Sequence, residues 1–292
     1  MEKRKFDILT DSGCDMPKEY LKEKDVACVR LGFTMNNVNY EGEGGEKITE
    51  KEFYAKIRDG AMPTTYQVTS ETAKTYMEKS LKKGRDLLVI AFSSGLSGTA
   101  GSFLVAGREL KEKYPDREVR IVDSLCASMG QGLLLDYVVK KADLGATLSE
   151  TADYAEKLKL HICHHFTVDI LFHLKRGGRV STATELVGSI LKIKPVMRVN
   201  DEGKLVATSK VVGRKKALHA LVNNLLESME MGSSDPIFIS HGDCIDEVEY
   251  VKSLIQEKLP GVEIFVHYIG TVIGAHAGPN TIAIFHKGKK RK

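Results

Sequence analysis

The chain has 292 residues, of which 42% are hydrophobic and 28% are charged. This composition is typical of a water-soluble globular protein, and the length accommodates two domains of ordinary size. The formal net charge of +4 comes from 43 basic and 39 acidic residues, and five of the last six positions are basic. Without that tail the charge is near zero, so we interpret residues 287–292 as a solvated end and expect no nucleic-acid binding.

The lack of a signal-peptide pattern and the scattered cysteines both favour a cytoplasmic protein. The first residues lead directly into an apolar strand pattern, without the long apolar core of a signal peptide. No stretch approaches the roughly 18 apolar residues that a membrane span needs. The five cysteines are odd in number and scattered along the chain, which is typical of reduced thiols.

Apolar runs that alternate with helical patterns indicate a parallel sheet in the first half of the chain. A helix beginning at Thr49 is marked by Glu52, which completes a capping box, and the glycine-containing segment 36–46 is predicted to be a surface loop. The predicted strands are residues 6–10, 26–31, 86–90 and 119–124, and the predicted helices include residues 17–24, 71–81, 100–110 and 148–160.

Hydroxyl-rich loops follow several of these predicted strands. The run from Ser93 to Thr99 leads into a helix, and a second such loop at residues 63–70 contains Thr65. Backbone N–H groups at helix starts attract anions, and ligands bind beyond the carboxyl ends of parallel strands. We therefore expect Thr65 and Ser97 to meet at one edge of the sheet. The alternative is that Ser97 or Thr99 caps its helix.

Two carboxylates also follow predicted strands. Asp11 and Asp123 each stand beside a serine at such a strand end. Aspartate and serine are common turn formers and helix caps, so we expect Asp11 and Asp123 to be structural.

The second half of the chain begins with the run His161-Ile162-Cys163-His164-His165. Imidazole and thiolate groups are good zinc ligands. On a strand, however, His164 faces away from the other three polar side chains, and no known metal-ligand spacing completes the set. We therefore expect no metal site.

The following segments predict a separate α+β unit. Two strands, residues 191–199 and 204–209, are joined by a turn at 200–203, and the later elements are predicted at 215–230 (helix), 237–241 (strand), 247–258 (helix), 263–268 (strand) and 281–285 (strand). Near the end, His276 lies among small and turn-prone residues in the segment 269–280, so its ring could reach a ligand with little steric cover.

A tight turn in this half carries two arginines. A short predicted helix at 169–175 ends at Arg176-Gly177-Gly178-Arg179. We expect this turn to expose both guanidinium groups, which suit bidentate contact with phosphate or carboxylate. A plain helix end with solvated arginines is the alternative.

The sequence closely resembles the DegV family of fatty-acid-binding proteins over residues 6–285. Seven ordered motifs carry the resemblance: Thr10-Asp11-Ser12, Thr65-x-Gln67, Ser93-Ser94-Gly95-Leu96-Ser97-Gly98-Thr99, Val122-Asp123-Ser124, Arg176-Gly177-Gly178-Arg179, Lys194-Pro195 and Gly274-x-His276-x-Gly278-Pro279.

The resemblance implies an α/β protein with two domains. These are an N-terminal Rossmann-like domain with a parallel sheet (residues 1–160) and a C-terminal α+β domain with a mixed sheet (residues 161–292). One long-chain fatty acid is expected in a tunnel between them, bound without turnover and without a cofactor. Some family members present the acid to a separate fatty-acid kinase for phospholipid synthesis, and transient membrane contact would accompany that role.

The resemblance also assigns the site residues. The hydroxyl groups of Thr65 and Ser97 would hold the carboxylate, and the Gly98 N–H group and His276 would complete the polar end. Arg176 and Arg179 would contact the kinase or the phosphate.

Two positions depart from the family pattern. The usual Thr-Ser-Gln-Pro-Ser is Thr65-Tyr66-Gln67-Val68-Thr69 here, and the usual Gly-Pro-Gly is Gly278-Pro279-Asn280. Tyr66 could narrow the pocket entrance or add a hydrogen bond.

Enzyme motifs are incomplete in this sequence. A serine hydrolase elbow around Ser97 would need glycine where Thr99 stands, and no P-loop occurs. We therefore expect a protein that is not an enzyme. The alternative is a phosphotransferase or kinase component related to dihydroxyacetone kinase, with His276 as the phosphoryl acceptor.

Overall fold

The computed structural model describes residues 4–42, 45–180, 192–230 and 232–291. It is an α/β structure with a four-stranded parallel sheet from the first half of the chain and a six-stranded mixed sheet from the second half. The predicted fold class is therefore confirmed. The predictions made for Gly44, Leu191 and Lys292 lie outside the described residues.

The first half of the chain supplies the parallel sheet, its helices and a small third sheet. In order, the elements are β1 (Phe6–Asp11), α1 (Lys18–Glu23), β2 (Val26–Val29), β3 (Gly32–Met35), β4 (Val38–Glu41), α2 (Glu50–Arg58), β5 (Thr64–Tyr66), α3 (Ser70–Leu81), β6 (Asp86–Ala91), α4 (Thr99–Lys113), β7 (Val119–Asp123), α5 (Met129–Asp143) and α6 (Leu148–Leu158).

The parallel sheet has the strand order β2-β1-β6-β7. Strand β6 is buried on both faces, because Leu88 and Ile90 pack in one apolar cluster while Leu87 and Val89 pack in another. This burial explains its uninterrupted apolar sequence. Strand β1 lies between β2 and β6, so the crevice beyond β1 and β6 is the topological switch point at which such sheets bind ligands.

The second half of the chain forms the mixed sheet, with strand order β10-β9-β8-β13-β11-β12. Its elements are β8 (Ile162–Thr167), α7 (Phe172–Arg176), β9 (Ile193–Val199), β10 (Leu205–Val212), α8 (Arg214–Ser228), β11 (Ile237–His241), α9 (Ile245–Lys258), β12 (Ile264–Tyr268), α10 (Thr271–Ala277) and β13 (Ile282–Lys287). Across the ranges that the structure describes, no helix combines the length and the apolar character needed to cross a bilayer.

Helix α5 packs between the two large sheets. It contacts β6 on one side and β8, β11 and β13 on the other. Leu133, Leu134 and Val138 are fully buried in it, whereas Lys140 and Lys141 in its last turn are exposed. The domain boundary at residue 160 falls between α6 and β8 and stays a prediction.

The capping box predicted for α2 is present. The Glu52 N–H group donates to the Thr49 hydroxyl oxygen at 3.2 Å, and the Thr49 N–H group donates to the Glu52 carboxylate at 3.0 Å. Two N–H groups that the helix leaves without partners are thereby satisfied, which fixes where α2 begins.

The predicted loops at 36–46 and 63–70 were partly wrong. Strands β3 and β4 form a hairpin, and β5 pairs with β3 to complete a three-stranded antiparallel sheet. The hairpin turns at Asn36 and Asn37, which adopt φ values of 52° and 63°, the conformation that asparagine tolerates in such turns. These strands are short and mostly polar, so hydrophobic periodicity does not reveal them.

Sequence patterns predict no secondary structure for the segment around His276. It forms helix α10, although Gly274 within it disfavours helix. A side chain at Gly274 would overlap the rings of Phe53 and Tyr54. Close packing against α2 therefore explains the glycine and stabilises the helix.

The prediction of a solvated basic tail was wrong at Arg291. Its side chain is 6% exposed. The guanidinium group donates to the Leu125 carbonyl at 2.8 Å, and the Arg291 N–H group donates to the Leu160 carbonyl at 2.9 Å. Arg291 is therefore packed onto the protein, whereas Lys289 and Lys290 are exposed.

Replacing Arg291 with alanine should lower the free energy of unfolding by about 1.5–3 kcal/mol, the usual contribution of a hydrogen bond to a charged group. The reason is that the Leu125 carbonyl would lose its donor. Urea unfolding measures the change. The exposed neighbour Lys290 provides the control, because Lys290→Ala should change stability by less than about 0.5 kcal/mol. If both substitutions change the free energy of unfolding by the same small amount, the burial of Arg291 is contradicted.

Candidate functional site

Two aspartates hold the loops beyond the parallel strands. The Asp11 carboxylate accepts hydrogen bonds from the N–H groups of Gly13 at 2.9 Å and Phe92 at 2.7 Å. The Asp123 carboxylate accepts from the N–H groups of Ser94 and Leu125, both at 3.1 Å. Their structural role is therefore confirmed. Burial raises the pKa of Asp11 to about 6.

Ser97 lies at the start of α4 and also faces a cavity. Its hydroxyl oxygen accepts from the Thr99 N–H group at 3.3 Å and lies 3.0 Å from the Thr99 hydroxyl. The same side chain lines the cavity. The two interpretations of Ser97, helix start and ligand contact, are thus compatible.

Thr65 and His276 meet although 211 residues separate them. The Thr65 hydroxyl oxygen lies 2.8 Å from Nε2 of His276. Helix α10 is held there by Tyr54, whose hydroxyl donates to the Ile269 carbonyl at 2.9 Å. Arg176 adds a second connection, because its guanidinium group donates to the carbonyls of Pro63 at 2.8 Å and Ala275 at 3.2 Å.

The imidazole of His276 is neutral at physiological pH. Burial lowers its pKa to about 4, and the guanidinium groups of Arg179 and Arg176 contribute to the shift. Its Nδ1 atom is buried without a hydrogen-bond partner among the described residues. A side chain at Gly177 would overlap this ring, so only glycine allows the turn after α7 to lie this close to the imidazole.

A cavity of about 360 Å³ opens between the parallel and mixed sheets. This volume lies within the range of about 300–1,000 Å³ for small-molecule sites. The polar residues that line it are Thr65, Gln67, Ser97, Ser128, His164, Arg179, His276 and Thr281. The apolar and aromatic ones are Leu31, Tyr66, Phe92, Leu96, Ala127, Phe166, Leu174, Val199, Leu205, Ile269, Val272, Ile273, Ala277, Ala283 and Phe285.

Exposure changes along the cavity. Tyr66, which is 40% exposed, and Gln67 are exposed lining residues and mark the mouth of the cavity. They follow Thr65 along the chain, Tyr66 as the last residue of β5 and Gln67 just after it. Other lining residues are buried, with Phe285 and Val199 each 2% exposed and Phe166 8% exposed. The buried part of the lining is therefore mostly apolar, with Ser128, His164 and Thr281 as its buried polar residues.

The structure brings most of the predicted site residues together at this mouth. Thr65, Ser97, His276 and Arg179 line the cavity, whereas Gly98 and Arg176 are not among the lining residues. A side chain at Gly98 would overlap the Gln67 amide, so this glycine allows Gln67 to cover the start of α4.

The turn was predicted to expose the guanidinium group of Arg179, but this group is only partly exposed. It is half-buried in the cavity wall and donates to the carbonyl oxygens of Leu96, at 3.2 Å, and Gly177. Arg179 therefore places a positive charge at the polar mouth.

Sequence reasoning did not identify a polar group deeper in the cavity. Ser128 lines the cavity and donates a hydrogen bond to the carboxyl group of Asp15 at 2.5 Å. Its oxygen also lies 3.0 Å from the Ser240 hydroxyl. Burial raises the pKa of Asp15 to about 8, so this carboxyl group is protonated at neutral pH. These residues come from three distant segments, and no sequence spacing joins them.

A family model described as uncharacterised proteins of the DegV family matches residues 5–288. The chain belongs to the DegV family.

Relatives of known sequence and structure match the chain over nearly its full length. A DegV domain-containing protein of Clostridium perfringens is 42% identical over 289 residues, which cover 99% of each chain. The structure of a DegV family protein from Thermus thermophilus, described by its fatty acid binding, has a TM-score of 0.86 and 27% identity over 98% of this chain and 100% of its own. A hypothetical protein from Thermotoga maritima, described as revealing a fatty acid binding function, has a TM-score of 0.82 and 27% identity over the same shares.

The histidine run of this DegV chain has structural contacts. As predicted, His164 and His165 lie on opposite faces of β8: His164 lines the cavity, and His165 contacts the Ser228 hydroxyl of α8 at 2.8 Å. His161 precedes the strand, and its Nδ1 lies 3.1 Å from the Gly288 carbonyl oxygen. In the described ranges, no three or more His, Cys, Asp and Glu side chains are arranged to hold a metal ion.

Titration tests whether the imidazole of His276 is neutral at physiological pH. NMR of ring-labelled histidine should show His276 changing protonation state near pH 4, because its folded-state pKa is depressed from the ordinary value of about 6.5. Stability that depends on the neutral ring is then present above about pH 6.5 and declines as the pH falls towards 4. His276→Asn identifies the resonance. A midpoint close to 6.5 would contradict the buried, neutral ring.

Proposed function

We propose that the chain binds one long-chain fatty acid without turning it over, with the carboxylate at the mouth and the acyl chain in the interior. The observation that carries this proposal is the change from polar, partly exposed residues around Thr65 to buried aromatic residues such as Phe166 and Phe285. A fatty acid has the same division between a charged end and an apolar chain.

The mouth offers several donors for the carboxylate. Thr65 and Ser97 supply hydroxyl groups. Ser97 also adjoins Gly98 at the start of α4, where anions are favoured, although Gly98 itself does not line the cavity. His276 is neutral and can donate a hydrogen bond from a ring nitrogen. Arg179 adds a positive charge in the wall, which strengthens a hydrogen-bonded carboxylate contact.

The acyl chain supplies most of the binding free energy. Each methylene that leaves water contributes about 0.8 kcal/mol, so the apolar interior binds a long chain tightly without strong head-group contacts. Tight binding of the acyl chain combined with weaker contacts to the carboxylate suits a protein that holds the acid and later releases it.

Relatives support this assignment. The Thermus thermophilus and Thermotoga maritima proteins, both 27% identical to this chain, are described as binding fatty acids. Their matches extend over 98% of this chain, so the whole cavity falls within the region of similarity.

The orientation also suits transfer to a partner in the cytoplasm. A carboxylate beside the exposed residues Tyr66 and Gln67 is accessible to a separate fatty-acid kinase subunit, which would form an acyl phosphate for phospholipid synthesis. Arg176, exposed at the adjoining turn, would contact that subunit. The acid would be acquired and delivered through transient contact with a membrane.

The direct experiment is organic extraction of the purified protein followed by mass spectrometry. We expect about one long-chain fatty acid per chain, because burial of the acyl chain retains it through purification. Protein purified from its expression host with no bound acid, and with no affinity for added palmitate, would contradict the proposal.

Substitutions at the mouth test the carboxylate position. Thr65→Ala and Ser97→Ala should each weaken palmitate binding about three- to tenfold, because each removes one hydrogen-bonding hydroxyl. Isothermal titration measures the affinities. Ser94→Ala, in the same loop but away from the lining residues, is the matched control and should leave affinity unchanged. A loss at Ser94 as large as at Ser97 would contradict the assigned position.

A further inference from the structure

The ring of Tyr66 packs against two glycines, Gly32 in β3 and Gly42 directly after β4. Gly32 in β3 pairs directly with Tyr66 in β5. A side chain at Gly32 would overlap the outer carbons and the hydroxyl of the ring, and one at Gly42 would lie 3.0 Å from that hydroxyl. The ring therefore fills the space that the two glycines leave, as aromatic residues do when they cover a strand glycine.

This contact fixes the ring at the edge of the cavity. Tyr66 is 40% exposed and also lines the cavity, so it contacts solvent and the interior together. It directly follows Thr65, which contacts His276. A tyrosine has two side-chain dihedral angles, so holding it in place costs little conformational entropy.

We propose that Tyr66, held on Gly32 and Gly42, is a fixed cover at the cavity mouth that slows the exit of the bound fatty acid. The inference rests on the proposed function and adds a residue that sets the residence time. The acid must pass the ring as its carboxylate leaves Thr65 and Ser97. Because the ring is already held in place in the free protein, binding the acid does not cost the conformational entropy of ordering it.

The dissociation rate tests this role. Stopped-flow measurements would follow a fluorescent long-chain fatty acid as excess palmitate displaces it. Tyr66→Ala should raise the dissociation rate about tenfold, since changes at a binding surface act mainly on dissociation. Tyr66→Phe keeps the ring and should stay within about twofold of the wild-type rate.

A second substitution displaces the ring without changing it. Gly32→Ala places a methyl group where the ring lies, and it should also raise the dissociation rate. Gly101→Ala is the matched control, because a side chain there meets open space. Melting temperatures measured for each variant show that the fold is retained.

The outcomes separate this inference from the proposed function. If wild-type protein binds the acid and Tyr66→Ala releases it at the wild-type rate, the cover role is wrong while fatty-acid binding stands. If Tyr66→Phe releases the acid as fast as Tyr66→Ala, the hydroxyl rather than the ring retains it, and the proposed cover is again wrong. If the wild-type protein binds no acid, both proposals fail.

Discussion

The contact between the Thr65 hydroxyl and Nε2 of His276, at 2.8 Å, joins a short strand near the parallel sheet to a helix near the end of the chain. It requires close packing on both sides of α10. Gly274 allows the helix to lie against Phe53 and Tyr54, and Gly177 allows the turn after α7 to approach the imidazole. A side chain at either glycine would move His276 away from Thr65 and widen the polar mouth.

The two hydroxyl groups of the proposed carboxylate site both have a partner within the protein. Ser97 contacts Thr99 at the start of its helix, and His276 contacts Thr65. Activation of a serine requires a base within hydrogen-bonding distance of its hydroxyl, and the Ser97 hydroxyl lies 3.0 Å from the Thr99 hydroxyl, whereas the imidazole of His276 lies beside Thr65. Burial keeps His276 neutral, and in the proposed function its ring donates a hydrogen bond to the carboxylate.

Sequence reasoning recovered the elements whose signals are local. The apolar run of β6, the capping box at Thr49 and the hydroxyl-rich loop before α4 depend on neighbouring residues. The predictions failed where distant contacts decide the structure. Helix α10 contains Gly274, which its packing against α2 explains, and Arg291 is held by hydrogen bonds to the carbonyl groups of residues 125 and 160. The apolar end of the cavity, at Phe166 and Phe285, depends on the pairing of β8 with β13.

The most direct test of the account is a crystal structure of the protein with a long-chain fatty acid bound. The account predicts the carboxylate within hydrogen-bonding distance of the hydroxyl groups of Thr65 and Ser97, and the acyl chain against Phe166 and Phe285. A reversed acid, with its carboxylate beside Phe285, or an acid bound outside the cavity, would contradict it.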